Sequence, residues 1–164
     1  MQQNNIVILH NIRSVQNVGA MFRTADAAGV DKIYLTGYTP TPLDRFGRIR
    51  KGMAKSALGA EKFVLWEQRK NIFPLLAKLK REKYFIIAIE QAKNSVDYKK
   101  VSARGGPAYG WKKKAFIVRA EVTGIPKNIL KKCNVIAEIP MRGRKESLNV
   151  SVALGIILFE MLNL

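Results

Sequence analysis

Residues 5–35, NIVILHNIRSVQNVGAMFRTADAAGVDKIYL, decide the fold class. The short apolar run over 5–11 is the pattern of a buried strand. Ser14 is a helix-capping residue, and the helix it starts runs to about Ala28, where Gly29 supplies a stop. Residues 32–35 form a second strand. Strand, helix and strand at this spacing predict a βαβ unit, and its two strands must then be parallel.

The pattern continues outward from that unit. Strands are predicted over 62–66, 84–90, 115–118 and 135–139. Helices are predicted over 72–82, with Pro74 tolerated in the first turn, over 126–132, and over 147–162. Residues 39–55 and 92–113 read as long loops. Strands alternating with helices give an α/β class, a mostly parallel sheet flanked by helices. The 164 residues fit one domain, 1–164, with no repeat, low-complexity tract or linker to divide it.

Hydrophobic residues at 48% and charged residues at 25% are ordinary for a soluble domain. No apolar run reaches the length of a membrane span, and the start lacks a secretory signal, so a cytoplasmic setting is the expectation. Charge is the informative quantity. Twenty-nine Lys and Arg against twelve Asp and Glu leave +17. A domain this basic usually meets a polyanion, although a generally basic proteome would give the same balance. Clustering favours a binding face: Arg45, Arg48, Arg50, Lys51 and Lys55 run with no acid between them, Lys112–Lys114 follow Tyr109 and Trp111, and Arg142, Arg144 and Lys145 share one loop. Such clusters follow phosphates without reading sequence.

Several chemistries are disfavoured. No GxGxxG follows the first strand, and neither a Walker A loop nor a GxSxG elbow is present. With Cys133 and His10 the only residues of their kinds, no His/Cys zinc cage and no intrachain disulfide can form, and no metal is expected. His10 reads as a packed strand residue, Cys133 as a small core residue near a helix end. In open α/β sheets ligands bind beyond the carboxyl ends of strands. The polar residues that follow strands are Asn17, Arg23, Gln91, Glu121, Ser147 and Asn149.

Three segments carry a resemblance. Residues 11–25 hold Asn17, Gly19 and Arg23; residues 116–125 hold Glu121 and Gly124; residues 139–151 read IPMRGRKESLNVS. In order and spacing they resemble the three motifs of the SpoU (TrmH) branch of the SPOUT RNA methyltransferases, in a minimal catalytic-domain form. The resemblance covers nearly the whole chain. It implies an α/β fold whose C-terminal part is threaded into a trefoil knot, a feature that sequence pattern alone does not suggest because knots are nearly absent from proteins. It further implies S-adenosylmethionine-dependent methylation of a ribose 2′-hydroxyl in tRNA or rRNA by a homodimer with sites at its interface.

The resemblance points to Arg23 near the target ribose, assisted by Asn17, Glu121, Ser147 and Asn149. A guanidinium stays protonated, so holding the adjacent phosphate is an easier role for Arg23 than acting as base. Asn17, Ser147 and Asn149 are equally good helix caps, and Glu121 equally a surface carboxylate. The positions that would contact the cofactor are Ile89, Arg119, Ile139 and Leu148, largely through backbone. Pro140 would end the strand and Gly143 permit the turn. The terminal helix has more apolar surface than one sheet needs, which suits a core helix and a dimer face together. Arg119 departs from the family, which usually has glycine there. Either its side chain turns away and the backbone still serves, or the pocket is closed and the chain is a catalytically silent RNA-binding protein.

Overall fold

The computed structural model describes residues 4–120 and 122–164. Seven strands form one sheet: β1 (Asn4–His10), β2 (Lys32–Thr36), β3 (Leu65–Arg69), β4 (Phe85–Ile89), β5 (Val96–Asp97), β6 (Lys113–Arg119) and β7 (Val135–Glu138). Their order is β3-β2-β1-β6-β4-β7-β5, and every pairing is parallel. Among the described residues six α-helices accompany them: α1 (Val15–Ala27), α2 (Lys51–Ala57), α3 (Ile72–Arg81), α4 (Tyr98–Ser102), α5 (Lys127–Leu130) and α6 (Val150–Leu162).

The period-two alternation of the strands divides the core into two layers. Val7 and Leu9 of β1, Phe116 and Val118 of β6, and Phe85 and Ile87 of β4 face one side. There they pack with Val18, Met21 and Phe22 of α1 and Leu154, Ile157 and Leu158 of α6. Ile6, Ile8, Ala115, Ile117, Ile86 and Ala88 face the other side and meet Leu75, Leu76 and Leu79 of α3 and Ile129 of α5. The central strands are apolar on both faces because helices cover both.

The βαβ reading of residues 5–35 holds. Ser14 Oγ accepts from the Asn17 amide at 3.1 Å, and Gly29 stands at φ +66° just past the helix end. Gly19 has a packing reason: a Cβ there would collide with Ser56 Oγ and come within 2.6 Å of the Met53 carbonyl oxygen, so only glycine lets α1 and α2 approach this closely.

Several sequence expectations are corrected. The loop predicted over 39–55 ends in α2, whose start has no side-chain cap; Met53 and Ala57, one turn apart, bury against the core and hold it. The loop over 92–113 contains β5 and α4, the latter capped by Asp97, which accepts from the Lys99 amide at 2.9 Å. The strand over 62–66 shifts to Leu65–Arg69 because Ala60–Lys62 coil as a 3-10 turn. The terminal helix starts at Val150, not Ser147: Asn149 is its cap and accepts from the Ser151 amide at 2.9 Å. Gly143 is not at positive φ and a Cβ there would meet nothing, so the turn does not require it.

Candidate active site

Strands β6, β4 and β7 are neighbours, and a cavity of about 290 Å³ opens beyond their carboxyl ends. The volume lies at the lower edge of the roughly 300–1,000 Å³ usual for small-molecule sites. Its apolar wall includes Ile89 at the end of β4, Ile139 and Met141 after β7, and Leu148 before α6. Its polar lining includes Glu90, Arg119, Glu138, Glu146 and Ser147. All four positions expected to contact a cofactor, Ile89, Arg119, Ile139 and Leu148, therefore meet around one space.

The side chain of Arg119 is tied to a single peptide group. Its Nη1 donates to the Gly124 carbonyl at 2.6 Å, while the next amide, Ile125 N–H, donates to Glu90 Oε2 at 2.7 Å. Glu90 Oε1 also accepts from the Gln91 amide at 2.8 Å. A cation and an anion thus hold the two ends of the Gly124–Ile125 peptide, and such charge-assisted bonds are stronger than neutral ones. Gly124 stands at φ +60°, and a Cβ there would lie 2.9 Å from Glu90 Oε2, so the clamp closes only over glycine. Arg119 Nε is buried and finds no acceptor among the described residues.

His10 ends β1 opposite Arg119 in the ladder. Its Nδ1 meets Thr36 Oγ1 at 2.9 Å, and Asn11 Nδ2 approaches Nε2 at 3.3 Å. Burial first, and the Arg119 charge second, lower its pKa to about 4. The ring is neutral at pH 7 and braces the strand end, as the sequence suggested. Cys133 is half-buried after α5 and donates to the Ile129 carbonyl at 3.4 Å; burial pushes its thiol up to about 12, leaving it unreactive.

The polar residues expected to do chemistry divide. Ser147 lines the cavity. Asn149 donates to Asn17 Oδ1 at 3.3 Å, linking the start of α6 to the first turn of α1. Asn149 is the cap of α6, whereas Asn17 lies in the first turn of α1, whose cap is Ser14, and neither lines the cavity. Arg23 is exposed on α1, is not among the residues lining its own chain's cavity, and makes no hydrogen bond or ion pair among the described residues. Glu121 lies outside the described residues. Sequence reasoning passed over Glu90, Glu138 and Glu146. Glu90 is the last residue of the strand predicted over 84–90, so strand-end position alone could have found it.

A family model described as "SpoU rRNA Methylase family" matches residues 4–159. A protein of Staphylococcus saprophyticus named for the TrmH family of tRNA/rRNA methyltransferases is 30% identical over 157 residues, which are 96% of this chain and 57% of that protein. The tRNA (guanosine(18)-2′-O)-methyltransferase of Aquifex aeolicus is 32% identical over 159 residues, 97% of this chain and 69% of that enzyme. The crystal structure of an AdoMet-bound rRNA methyltransferase from Sinorhizobium meliloti superposes with a TM-score of 0.82 at 26% identity, covering 99% of this chain and 57% of the other. The chain therefore spans little more than half the length of some relatives that it matches.

Proposed function

The chain belongs to the SpoU rRNA methylase family of RNA methyltransferases, and from that premise we propose that it transfers a methyl group from S-adenosylmethionine to a ribose 2′-hydroxyl of tRNA or rRNA. The observation that carries the proposal is the clamped cavity. The departure at position 119 leaves an open space instead of filling it, because the guanidinium is drawn to the Gly124 carbonyl.

The residues present fit the donor. Ile89, Ile139 and Leu148 offer an apolar slot for a purine ring, and backbone at these strand ends can read its edge. The donor bears a positive sulfonium. On a chain of net charge +17, three of the twelve carboxylates, Glu90, Glu138 and Glu146, line this one cavity. When bound, the donor supplies an already activated methyl group. The protein then has to orient the ribose and let its hydroxyl proton leave.

Arg23 is the group proposed to hold the phosphate beside the target ribose. A guanidinium without a partner among the described residues is free for that bidentate contact. Asn17 and Asn149, joined to each other, and Ser147 would orient the ribose, and Glu121 would orient Arg23. Because Arg23 does not line its own chain's cavity, we propose a homodimer in which it serves the second copy's site. Val152, Ile156 and Phe159 support that assembly. They are 49%, 37% and 40% exposed at i, i+4 and i+7 on α6, an apolar stripe that a second copy would cover. The proposed molecule is a single domain with the C-terminal segment threaded as a trefoil knot, working on RNA in the cytoplasm. No described helix is long and apolar enough to cross a membrane.

The test is methyl transfer from labelled donor to tRNA and rRNA, read by nucleoside analysis. A 2′-O-methylated nucleoside is the expected product. The second reading, a silent RNA-binding protein, rests on Arg119 lining the cavity. It requires that RNA binds while the donor does not.

A further inference from the structure

Residues 43–49 form a small hairpin that the proposed chemistry does not use. Leu43 and Ile49 pair as an antiparallel bridge, and the Arg50 amide donates to the Pro42 carbonyl at 3.0 Å. One carboxylate organises the tip. Asp44 Oδ1 accepts from the amides of Phe46 at 2.8 Å and Arg48 at 3.0 Å, and Oδ2 pairs with Arg48 Nε at 2.9 Å. These bonds hold the Asp44 carboxyl below its usual pKa, with the Arg48 amide the largest cause.

What the tip displays is Phe46, 65% exposed, with the guanidinium carbons of Arg45 and Arg48 at 4.7 and 4.9 Å from its ring centroid. Burying such a ring is favourable, so a rigid scaffold that keeps it in water invites a partner. Beside the tip, a groove of about 610 Å³ runs past Arg48, Arg50 and Lys51 to Val15 and Gln16, the residues just before Asn17. Arg13 lies 5.8 Å from the ring of Tyr38, a second exposed aromatic under a guanidinium.

We propose that the hairpin is a stacking platform for an unpaired nucleotide of the RNA substrate. Phe46 would lie against the base, and Arg45 and Arg48 would hold its phosphates. The inference rests on the RNA reading above and adds which RNA structure is needed: a loop or single strand, since a base inside a duplex offers no free face. An exposed cation–π contact is weaker than the stacking of a base on an aromatic ring. A base therefore displaces a guanidinium from the ring and frees it for phosphate. A second copy of this chain is the poorer occupant, because it would bring like charge to a tip already flanked by arginines.

The test compares the full chain with its Phe46→Ala and Phe46→Trp variants at one salt concentration. Fluorescence anisotropy measures binding to a single-stranded oligoribonucleotide and to a duplex of equal length, and calorimetry measures S-adenosylmethionine binding. For Phe46→Ala the single-strand affinity should fall roughly 5- to 150-fold, the range that one lost base stack represents. Duplex affinity and donor affinity should hold, the latter confirming the fold. Phe46→Trp should restore binding, and its added emission should be quenched by the oligonucleotide. Equal single-strand binding by wild type and Phe46→Ala would overturn the platform while leaving the methyltransferase reading intact. A wild-type protein that binds no RNA would overturn both. Loss of self-association in Phe46→Ala with unchanged RNA affinity would overturn the platform in favour of a protein contact.

Discussion

Replacing Arg119 with glycine restores the residue usual in the family, and the clamp predicts that it weakens donor binding. In this chain the 2.6 Å bond from Arg119 to the Gly124 carbonyl and the 2.7 Å bond from the Ile125 amide to Glu90 hold the loop at the cavity's edge. A hydrogen bond to a charged group contributes roughly 1.5–3 kcal/mol, and half-burial of Arg119 favours the lower end. Glycine also frees the backbone at a cost of about 0.5–1 kcal/mol. Together, roughly 2–2.5 kcal/mol lost from the closed loop lowers its population by about 30- to 70-fold. Donor affinity falls in proportion once the open form dominates. Titration calorimetry with S-adenosylmethionine on wild type, Arg119→Gly and Arg119→Lys reads the effect. Arg119→Lys should lie between the other two, since a lysine can still donate to the carbonyl. Tighter binding by Arg119→Gly would refute the reasoning: the arginine would then be a plug and not a strut.

Gly124→Ala should be worse than Arg119→Gly in the same titration, because it meets both an unfavourable φ and a Cβ 2.9 Å from Glu90 Oε2. Gly19→Ala should lower the thermal midpoint by several degrees through the α1–α2 contact with Met53 and Ser56, and an unchanged midpoint would contradict that contact. His10 has a folded pKa of about 4 against the ordinary 6.5. As pH falls the unfolded chain takes up this proton first. The stability His10 confers is thus complete above about pH 6.5 and is lost between there and about pH 4, up to roughly 3 kcal/mol. Urea midpoints across that range should fall for wild type and fall less for His10→Gln. Arg23→Ala should abolish methyl transfer and leave donor binding intact, and normal turnover would remove Arg23 from the mechanism. Light scattering at micromolar concentration should give a dimer, and a persistent monomer would count against interfacial sites.

Much of this was legible in the chain. The short apolar runs of β1, β4 and β6 and the Ser14 and Gly29 signals are local, so the parallel sheet could be read directly. The cavity positions came from the family resemblance, and Ile89, Arg119 and Ile139 do sit at or just beyond strand ends and Leu148 just before the terminal helix. Helix α2 was hidden because, at seven residues and without a side-chain cap, it is too short to stand alone and is held by Met53 and Ala57 packing into the core. The clamp was hidden for another reason. Nothing in the sequence says where an arginine side chain turns, or that Glu90, just past another strand, reaches the amide after Gly124. Both depend on β4 and β6 lying side by side although 23 residues separate them in the chain. The three cavity carboxylates stand apart in sequence for the same reason.

The most direct test of the account places the label. Wild-type protein is incubated with methyl-labelled S-adenosylmethionine and total RNA, and the RNA is then hydrolysed in alkali. Cleavage of an RNA chain needs a free 2′-hydroxyl, so a methyl on that oxygen protects the adjacent linkage. The account predicts label in alkali-stable dinucleotides, lost in Arg23→Ala. Label in mononucleotides would mean that a base is methylated. No label in RNA, with the donor unbound, would mean that this chain has kept the family's fold without its reaction.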